Sequence, residues 1–167
     1  MPNKIEDTNA VRQERHAAAR LDAMDRTLLG LLAENSSRSY AELGDILHLS
    51  APAVHDRVKR LKRDGVIKAT VATINGCKVG RSLLTFVLVN TKNATSTKRL
   101  LALSNLPEIE EIHTVAGDSS VILKVRAQNT ESLEELLGKV QDIDGVDGTR
   151  SYVVLSTFVE RGPSPQL

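Results

Sequence analysis

Tryptophan is absent from this sequence, and cysteine occurs once, as Cys77. A lone cysteine allows neither a disulfide framework nor a cysteine-based zinc site. The other aromatic residues are Tyr40, Phe86, Tyr152 and Phe158, too few to supply a base-stacking platform. No apolar run approaches the ~20 residues that cross a bilayer. The opening MPNKIEDTNAVRQER lacks the apolar centre of a signal peptide. A cytoplasmic protein without membrane attachment is expected. The phosphate-cradling G-x-x-x-x-G-K-S/T and the dinucleotide-binding G-x-G-x-x-G are both missing. His16, His48, His55 and His113 are scattered without metal-ligand spacing. Cys77 has no neighbouring histidine to activate it. Ser119 and Ser120 follow Gly117 and Asp118, but no partner base for a triad is identifiable. These absences argue against an enzyme, a metal site or a bound cofactor.

What is present is a chain of 167 residues, 41% hydrophobic and 26% charged, which suits a soluble globular protein with a sizeable core. The net charge of +1 hides an asymmetry. Residues 1–80 carry 13 Lys/Arg against 10 Asp/Glu, and residues 81–167 carry 9 against 11. The N-terminal half is therefore the better match for a polyanion. Six of its 13 cations crowd into HLSAPAVHDRVKRLKRDGVIK, residues 48–68.

Residues 1–20 show little apolar periodicity and read as a mobile tail or a short helix. From residue 21 the period is helical. Asp22 suits an N-cap with Asp25 in the first turn, and Met24, Leu28, Leu31 and Leu32 form one stripe. Ser39 and Glu42 make an S-x-x-E capping box before a helix that buries Leu43, Ile46 and Leu47. Ser50 caps a third helix with Pro52 in its first turn, Val54, Val58 and Leu61 inward, and Gly65 as the stop. The turn at His48–Ser50 is too short for a flexible linker, which is helix-turn-helix spacing. VIKATVATI then reads as an extended strand, the wing or hinge, over about residues 67–75.

With Val54, Val58 and Leu61 inward, the cations of the third helix spread over its remaining surface. Such a helix enters the major groove with its N-terminal residues toward base edges, while basic residues neutralise phosphates. Ala51, Ala53, His55 and Asp56 are then groove-facing candidates. Arg57, Lys59, Arg60 and Lys62 are candidates for mixed base and phosphate contacts. Ser39 and Ser50 complete the candidate DNA-binding set.

The second half changes period. LLTFVLVN (83–90) and SVILKVRA (120–127) read as strands, as do EIEEIHTVAG and VDGTRSYVVLSTF. Two helices intervene, one capped by Thr95 or Ser96 and carrying Leu100, Leu101 and Leu103. The other is capped by Thr130 and carries Leu133, Leu136, Leu137 and Val140. This is β-α-β twice, an α+β βαββαβ sandwich of ferredoxin-like type with two helices on one sheet face. RNA-recognition domains share the topology but stack bases on sheet aromatics, which the inner stretches VLVN and SVILKV lack. VAGDSSVILKV, residues 115–125, reads locally as a hairpin turn. Its Gly117, Asp118, Ser119 and Ser120 could also hold an amino or carboxylate group.

These motifs identify a resemblance. The leading L-D-x-x-D, the E-L of the second helix, and L-S followed by R-V-x-R-L-x-x-x-G-V-I resemble the Lrp/AsnC ("feast/famine") transcriptional regulators. So do LPEIEEIHTVAGDSSVILKV and GVDGTRSYVVLSTF, and the likeness covers residues 21–158. It implies a winged helix-turn-helix at 21–66, a linker strand at 67–81, and a βαββαβ domain for effector binding and oligomerisation at 82–160. Residues 161–167 are left as a tail. It also implies dimers that pair through their sheets, assembly up to octamers, and a small effector, usually an amino acid, held between C-terminal domains. The effector loop carries over to Val115, Ala116, Gly117, Asp118, Ser119 and Ser120, with Thr149, Ser151 and Val153 on the last strand. Many members have an acid three positions after the glycine, where this chain has Ser120; Asp118 is the nearby acid. The expected partners are thus double-stranded DNA, further copies of the chain and an amino acid. The competing reading is a ligand-binding oligomeric module without specific DNA binding.

Overall fold

The computed structural model describes residues 19–166. The expected N-terminal tail falls almost entirely on residues 1–18, outside the described residues. The chain divides into two compact units, one running to Ala72 and including the segment from Arg161 onward, the other Thr73–Glu160.

Among the described residues the first unit holds three helices: α1 (Ala23–Glu34), α2 (Tyr40–Leu47) and α3 (Ala51–Arg63). Their starts follow the sequence signals. Asp22 caps α1 and Ser39 caps α2, each in a reciprocal capping box with the residue three positions on, Asp25 and Glu42. Ser50 caps α3 by accepting from the Ala53 amide, and Pro52 sits in the first turn, where its missing N–H leaves no bond unmade. Leu28, Leu43, Leu47, Val54, Val58 and Leu61 form the core, with Met24, Leu31 and Leu32 partly buried against it. Ile46 does not join them: it is 51% exposed, one residue short of Leu47 and so turned away from the buried stripe.

The turn between α2 and α3 has a backbone reason. His48 ends α2 in the left-handed region at φ 54, and the Leu49 amide donates to the Gly44 carbonyl at 2.9 Å. That return brings the chain so close that a Cβ on Gly44 would stand 2.5 Å from the Leu49 carbonyl oxygen. After α3, Gly65 at φ 71 reverses the chain and the Val66 and Ile67 amides both donate to the Leu61 carbonyl.

Two expectations are corrected here. Residues 67–75 form no hydrogen-bonded strand, and Val71 and Ile74 remain 77% and 69% exposed. β-Branched residues favour an extended backbone, but a strand exists only where a neighbour completes its ladder, and none is found among the described residues. The last residues are also not a free tail. They belong with the first unit, where Arg26 Nη1 donates to the Pro165 carbonyl at 2.8 Å.

The second unit has four strands: β1 (Leu83–Thr91), β2 (Ile109–Thr114), β3 (Val121–Ala127) and β4 (Val146–Val153). They form one antiparallel sheet in the order β2-β3-β1-β4. A short helix α4 (Ala94–Arg99) continuing into a 3-10 turn links β1 to β2, and α5 (Thr130–Gln141) links β3 to β4. This is the expected βαββαβ order. The caps lie slightly earlier than expected, at Asn93 and Asn129, whose side chains accept from the Ser96 and Ser132 amides. Asparagine and aspartate do this at least as well as threonine.

Register separates the two sheet faces. Val87 and Val89 pair with Leu123 and Val121, and these four are buried with Leu100, Leu103, Leu133, Leu136 and Val140 beneath the helices. Leu84, Phe86 and Leu88 point the other way, beside Arg126, Lys124 and Ile122 on β3 and Tyr152 and Arg150 on β4.

The helix-turn-helix therefore depends on Gly44. Substitution Gly44→Ala is expected to cost the first unit about 2 kcal/mol or more, since backbone must move to admit the methyl group. Urea unfolding followed by circular dichroism checks this; a loss below about 0.5 kcal/mol would show that the turn relaxes freely.

Candidate nucleic-acid interface and ligand-binding unit

The cations of α3 fall into two groups. Val54, Val58 and Leu61 face the core, so helical geometry puts Ala53, Arg57 and Arg60 on one flank and His55, Lys59 and Lys62 on the other. The first flank meets the start of α1. Arg57 Nη1 donates to Asp22 Oδ2 and to Asp25 Oδ1, both at 2.7 Å, and Arg60 Nη2 donates to Asp25 Oδ1 at 2.6 Å. Asp25 is only 1% exposed. Burial pushes its carboxyl up, but hydrogen bonds from Arg60, the Asp22 amide and Arg57 outweigh that and hold it below the usual carboxylate value. The Arg57 guanidinium and the Asp25 amide likewise lower Asp22. The same partners raise both arginines.

The structure gives Arg57 and Arg60 partners within the unit. Their guanidinium groups are turned onto aspartates of α1 and hold α3 against it. Ala53 lies on the same half-covered flank. The side that is open to a duplex consists of Pro52, His55, Asp56, Lys59, Lys62 and Arg63. Lys59 and Lys62 have no carboxylate within ion-pair distance among the described residues, whereas Arg63 Nε reaches Asp64 at 2.9 Å. Ala51 is half-buried at the α2 flank. Ser39 and Ser50 use their hydroxyl oxygens as caps, accepting from the Glu42 and Ala53 amides. Tyr40, which sequence reasoning passed over, lies against His55 with ring centroids 5.5 Å apart. Its position directly after a capping serine was the available signal.

In the second unit, the β2–β3 connection holds Val115–Ser120. The Val115 amide donates to the Ser120 carbonyl and the Ser120 amide to the Val89 carbonyl, both at 3.1 Å. The Ser120 hydroxyl oxygen accepts from the Thr91 amide at 3.2 Å. Ser120 thus ties the hairpin to β1, while Val115, Ala116, Gly117 and Asp118 are exposed and Ser119 is half-buried. Within one copy Thr149, Ser151 and Val153 do not close over this hairpin. They lie on β4 at the opposite edge of the sheet, with β1 between β4 and β3. Thr149, opposite Val89, is the nearest, two strand spacings or about 10 Å from β3. Its Oγ1 also accepts from Gln141 Nε2 at 3.2 Å.

The open sheet face carries an ion-pair cluster. Lys124 Nζ lies 3.1 Å from Glu111, 3.3 Å from Glu160 and 3.4 Å from Glu110; Arg126 pairs with Glu110 and lies 3.8 Å from Glu160. Through Glu160 this cluster draws the segment after β4 back over the sheet. A cavity of about 310 Å3 opens there, lined chiefly by Leu84, Phe86, Lys124, Val154, Phe158 and Val159. Tyr152 is 51% exposed, and Leu155 and Phe158 are each 94% exposed.

A helix-turn-helix with an exposed basic flank, carried on the same chain as a βαββαβ unit, defines a DNA-binding regulator with a ligand-binding domain. The comparisons agree. An AsnC-type helix-turn-helix domain matches residues 21–62, and an Lrp/AsnC ligand binding domain matches residues 84–164. The chain belongs to the Lrp/AsnC family of transcriptional regulators. It is 32% identical to the HTH-type transcriptional regulator FL11 of Pyrococcus furiosus, across 87% of this chain and 96% of that one. It superposes on E. coli AsnC with a TM-score of 0.81 at 28% identity, covering 87% and 99% of the two chains. A Neisseria meningitidis regulator solved as an L-methionine complex shares the fold, with a TM-score of 0.79 at 22% identity over 85% and 94%. No described helix is long and apolar enough to cross a membrane.

Asp25→Asn is expected to destabilise the first unit by about 2–3 kcal/mol, through loss of charge-assisted hydrogen bonds and half of a capping box. The pH dependence has a defined sign. Because folding lowers both aspartates, their contribution is complete above the unfolded value of about 3.9 and disappears as pH falls below it. Urea midpoints measured down the acid range should therefore fall more steeply for the native chain than for Asp25→Asn. Parallel curves would remove Asp25 as the titrating group.

Proposed function

We propose that this chain regulates transcription by binding specific duplex DNA as a dimer or larger assembly. A small effector, an amino acid, held where C-terminal units of two copies meet, adjusts that binding. The observation that carries the reading is the outward flank of α3, where Lys59 and Lys62 stand over an apolar underside that fixes the helix in place. One such module makes few phosphate contacts and binds weakly at physiological salt, so two copies spanning two half-sites are needed for useful affinity.

The open sheet face supports pairing with a second copy. Phe86, Tyr152, Leu155 and Phe158 leave more apolar surface exposed than scattered residues normally do. The separation of Thr149, Ser151 and Val153 from the Val115–Ser120 hairpin supports a site completed by another copy. The L-methionine held by the Neisseria relative supports the amino-acid class. With Ser120 turned to the backbone, Asp118 is the exposed acid that would meet an effector's ammonium group. A ligand binding two assembly states unequally shifts their populations, and with them the spacing of the paired recognition helices.

The test combines a salt titration on duplex DNA with mass measurement. Affinity should fall steeply with salt and favour selected over scrambled duplex. Leu155→Glu with Phe158→Glu should reduce assembly mass and weaken DNA binding by at least about tenfold, the expected loss when bivalent engagement is removed. Salt-independent binding would end the DNA reading. Unchanged mass in the double variant would move the pairing surface elsewhere, and an amino-acid panel that alters neither mass nor affinity would remove the sensing role.

A further inference from the structure

The segment that follows β4 crosses the open sheet face as a bridge pinned at its two ends. The Val154 amide donates to the Leu84 carbonyl of β1 at 2.9 Å. The Glu160 carboxylate lies 3.3 Å from Lys124 Nζ and 3.8 Å from Arg126 Nη2, both on β3. Between those points, residues 155–159 make no hydrogen bond with any described residue. The bridge also leaves hollow what it covers. The cavity of about 310 Å3 separates Leu84 and Phe86 of the sheet from Phe158 and Val159 of the segment. Leu155 and Phe158 stay almost wholly exposed above that apolar floor, which wastes the burial that would stabilise them. The fastening at Glu160 is easily exchanged. Its side chain is 55% exposed, and Lys124 and Arg126 keep Glu110 and Glu111 as partners when it leaves.

We propose that this segment is an exchanged arm: when two copies pair, residues 155–160 of each lie over the sheet of the other. The inference rests on the sheet-pairing reading above and deepens it, by naming what crosses between the copies. Exchange of an identical element needs no new chemistry. Glu160 of one copy meets Lys124 and Arg126 of the second as it meets its own, and two-fold symmetry makes each contact twice. Reach permits the crossing. The extended chain from Val154 to Glu160 spans about 20 Å, whereas sheets stacked face to face lie about 10 Å apart. Burial favours it, because an arm held between two sheets has apolar surface on both sides and the hollow over Leu84 and Phe86 can close. Residues 161–166 follow the arm, so the bond from Arg26 to the Pro165 carbonyl then forms between copies as well. The ion pairs add selectivity, since a wrongly matched arm sets like charges against one another.

The test uses full-length chains and reversed charges. The mass of the native chain across concentration comes first: a monomer throughout would end the pairing reading itself. Given a dimer, Glu160→Lys and Lys124→Glu should each weaken pairing by about tenfold, since like charges then face one another. The two variants are next mixed in equal amounts, one of them isotopically labelled, and read by native mass spectrometry. The mixed dimer should exceed either homodimer by at least about tenfold, because each arm then meets an opposite charge on the other chain. An arm folded on its own sheet keeps its mismatch whatever its partner. Random pairing in the mixture, or pairing strengthened by Glu160→Lys alone, would therefore overturn the exchange. A gentler variant gives a second reading that does not depend on reversed charge. A chain with Cys77→Ser, Glu160→Cys and Lys124→Cys is treated with a short bismaleimide and run on a denaturing gel. Exchange yields a covalent dimer; a product confined to monomer mass would show that the arm stays on its own sheet and overturn the proposal.

Discussion

The buried carboxylate of Asp25 organises the DNA-facing unit. It caps the start of α1, completes a capping box with Asp22 and accepts from Arg57 and Arg60 of α3. Such a group is costly to bury alone, and removing any partner leaves charge or donors unsatisfied. The apolar core formed by Leu28, Leu43, Val54 and Leu61 holds the helices together without direction. The ionic contact adds direction, because a guanidinium satisfies a carboxylate only over a narrow range of geometries. It sets the rotation of α3 about its own axis, and that rotation decides which side chains a duplex meets.

One consequence is a division of labour among cations that look alike in sequence. Arg57 and Arg60 act inward, on aspartates; Lys59 and Lys62 act outward, on solvent or an anion. Arginine suits the inner role through its planar fork, and lysine suits the outer one as a mobile, well-hydrated charge. The second unit repeats the pattern: Lys124 and Arg126 are spent on Glu110, Glu111 and Glu160, where they fasten the segment after β4. That segment displays Leu155 and Phe158 to solvent.

Much of this was legible from residue pattern. Capping signals at Asp22, Ser39 and Ser50 and the stripe of Val54, Val58 and Leu61 placed the three helices, because caps and helical periodicity are local. The two β-α-β passages likewise announced the sandwich. What escaped were facts that depend on a partner distant in sequence. The β-branched run at 67–75 has strand character but no ladder neighbour among the described residues. Ile46 satisfies the apolar pattern yet faces outward, and the final residues lie against α1 through Arg26 and Pro165. Asn93 and Asn129 were passed over as caps only because threonines and serines stood beside them.

The amino-acid order alone determined the three helices of the first unit, the βαββαβ order of the second, the family and the concentration of positive charge on α3, since each follows from neighbours a few residues apart. Tertiary structure alone decided which of those charges are free, because pairing Arg57 with Asp22, 35 residues away, needs the folded chain. It also decided that the hairpin at Val115–Ser120 and the β4 residues Thr149–Val153 stand apart in one copy, because strand order is a matter of long-range pairing. The basic run of residues 48–68 thus resolves into an inner clamp and an outer contact surface, a distinction that charge and spacing along the chain do not contain.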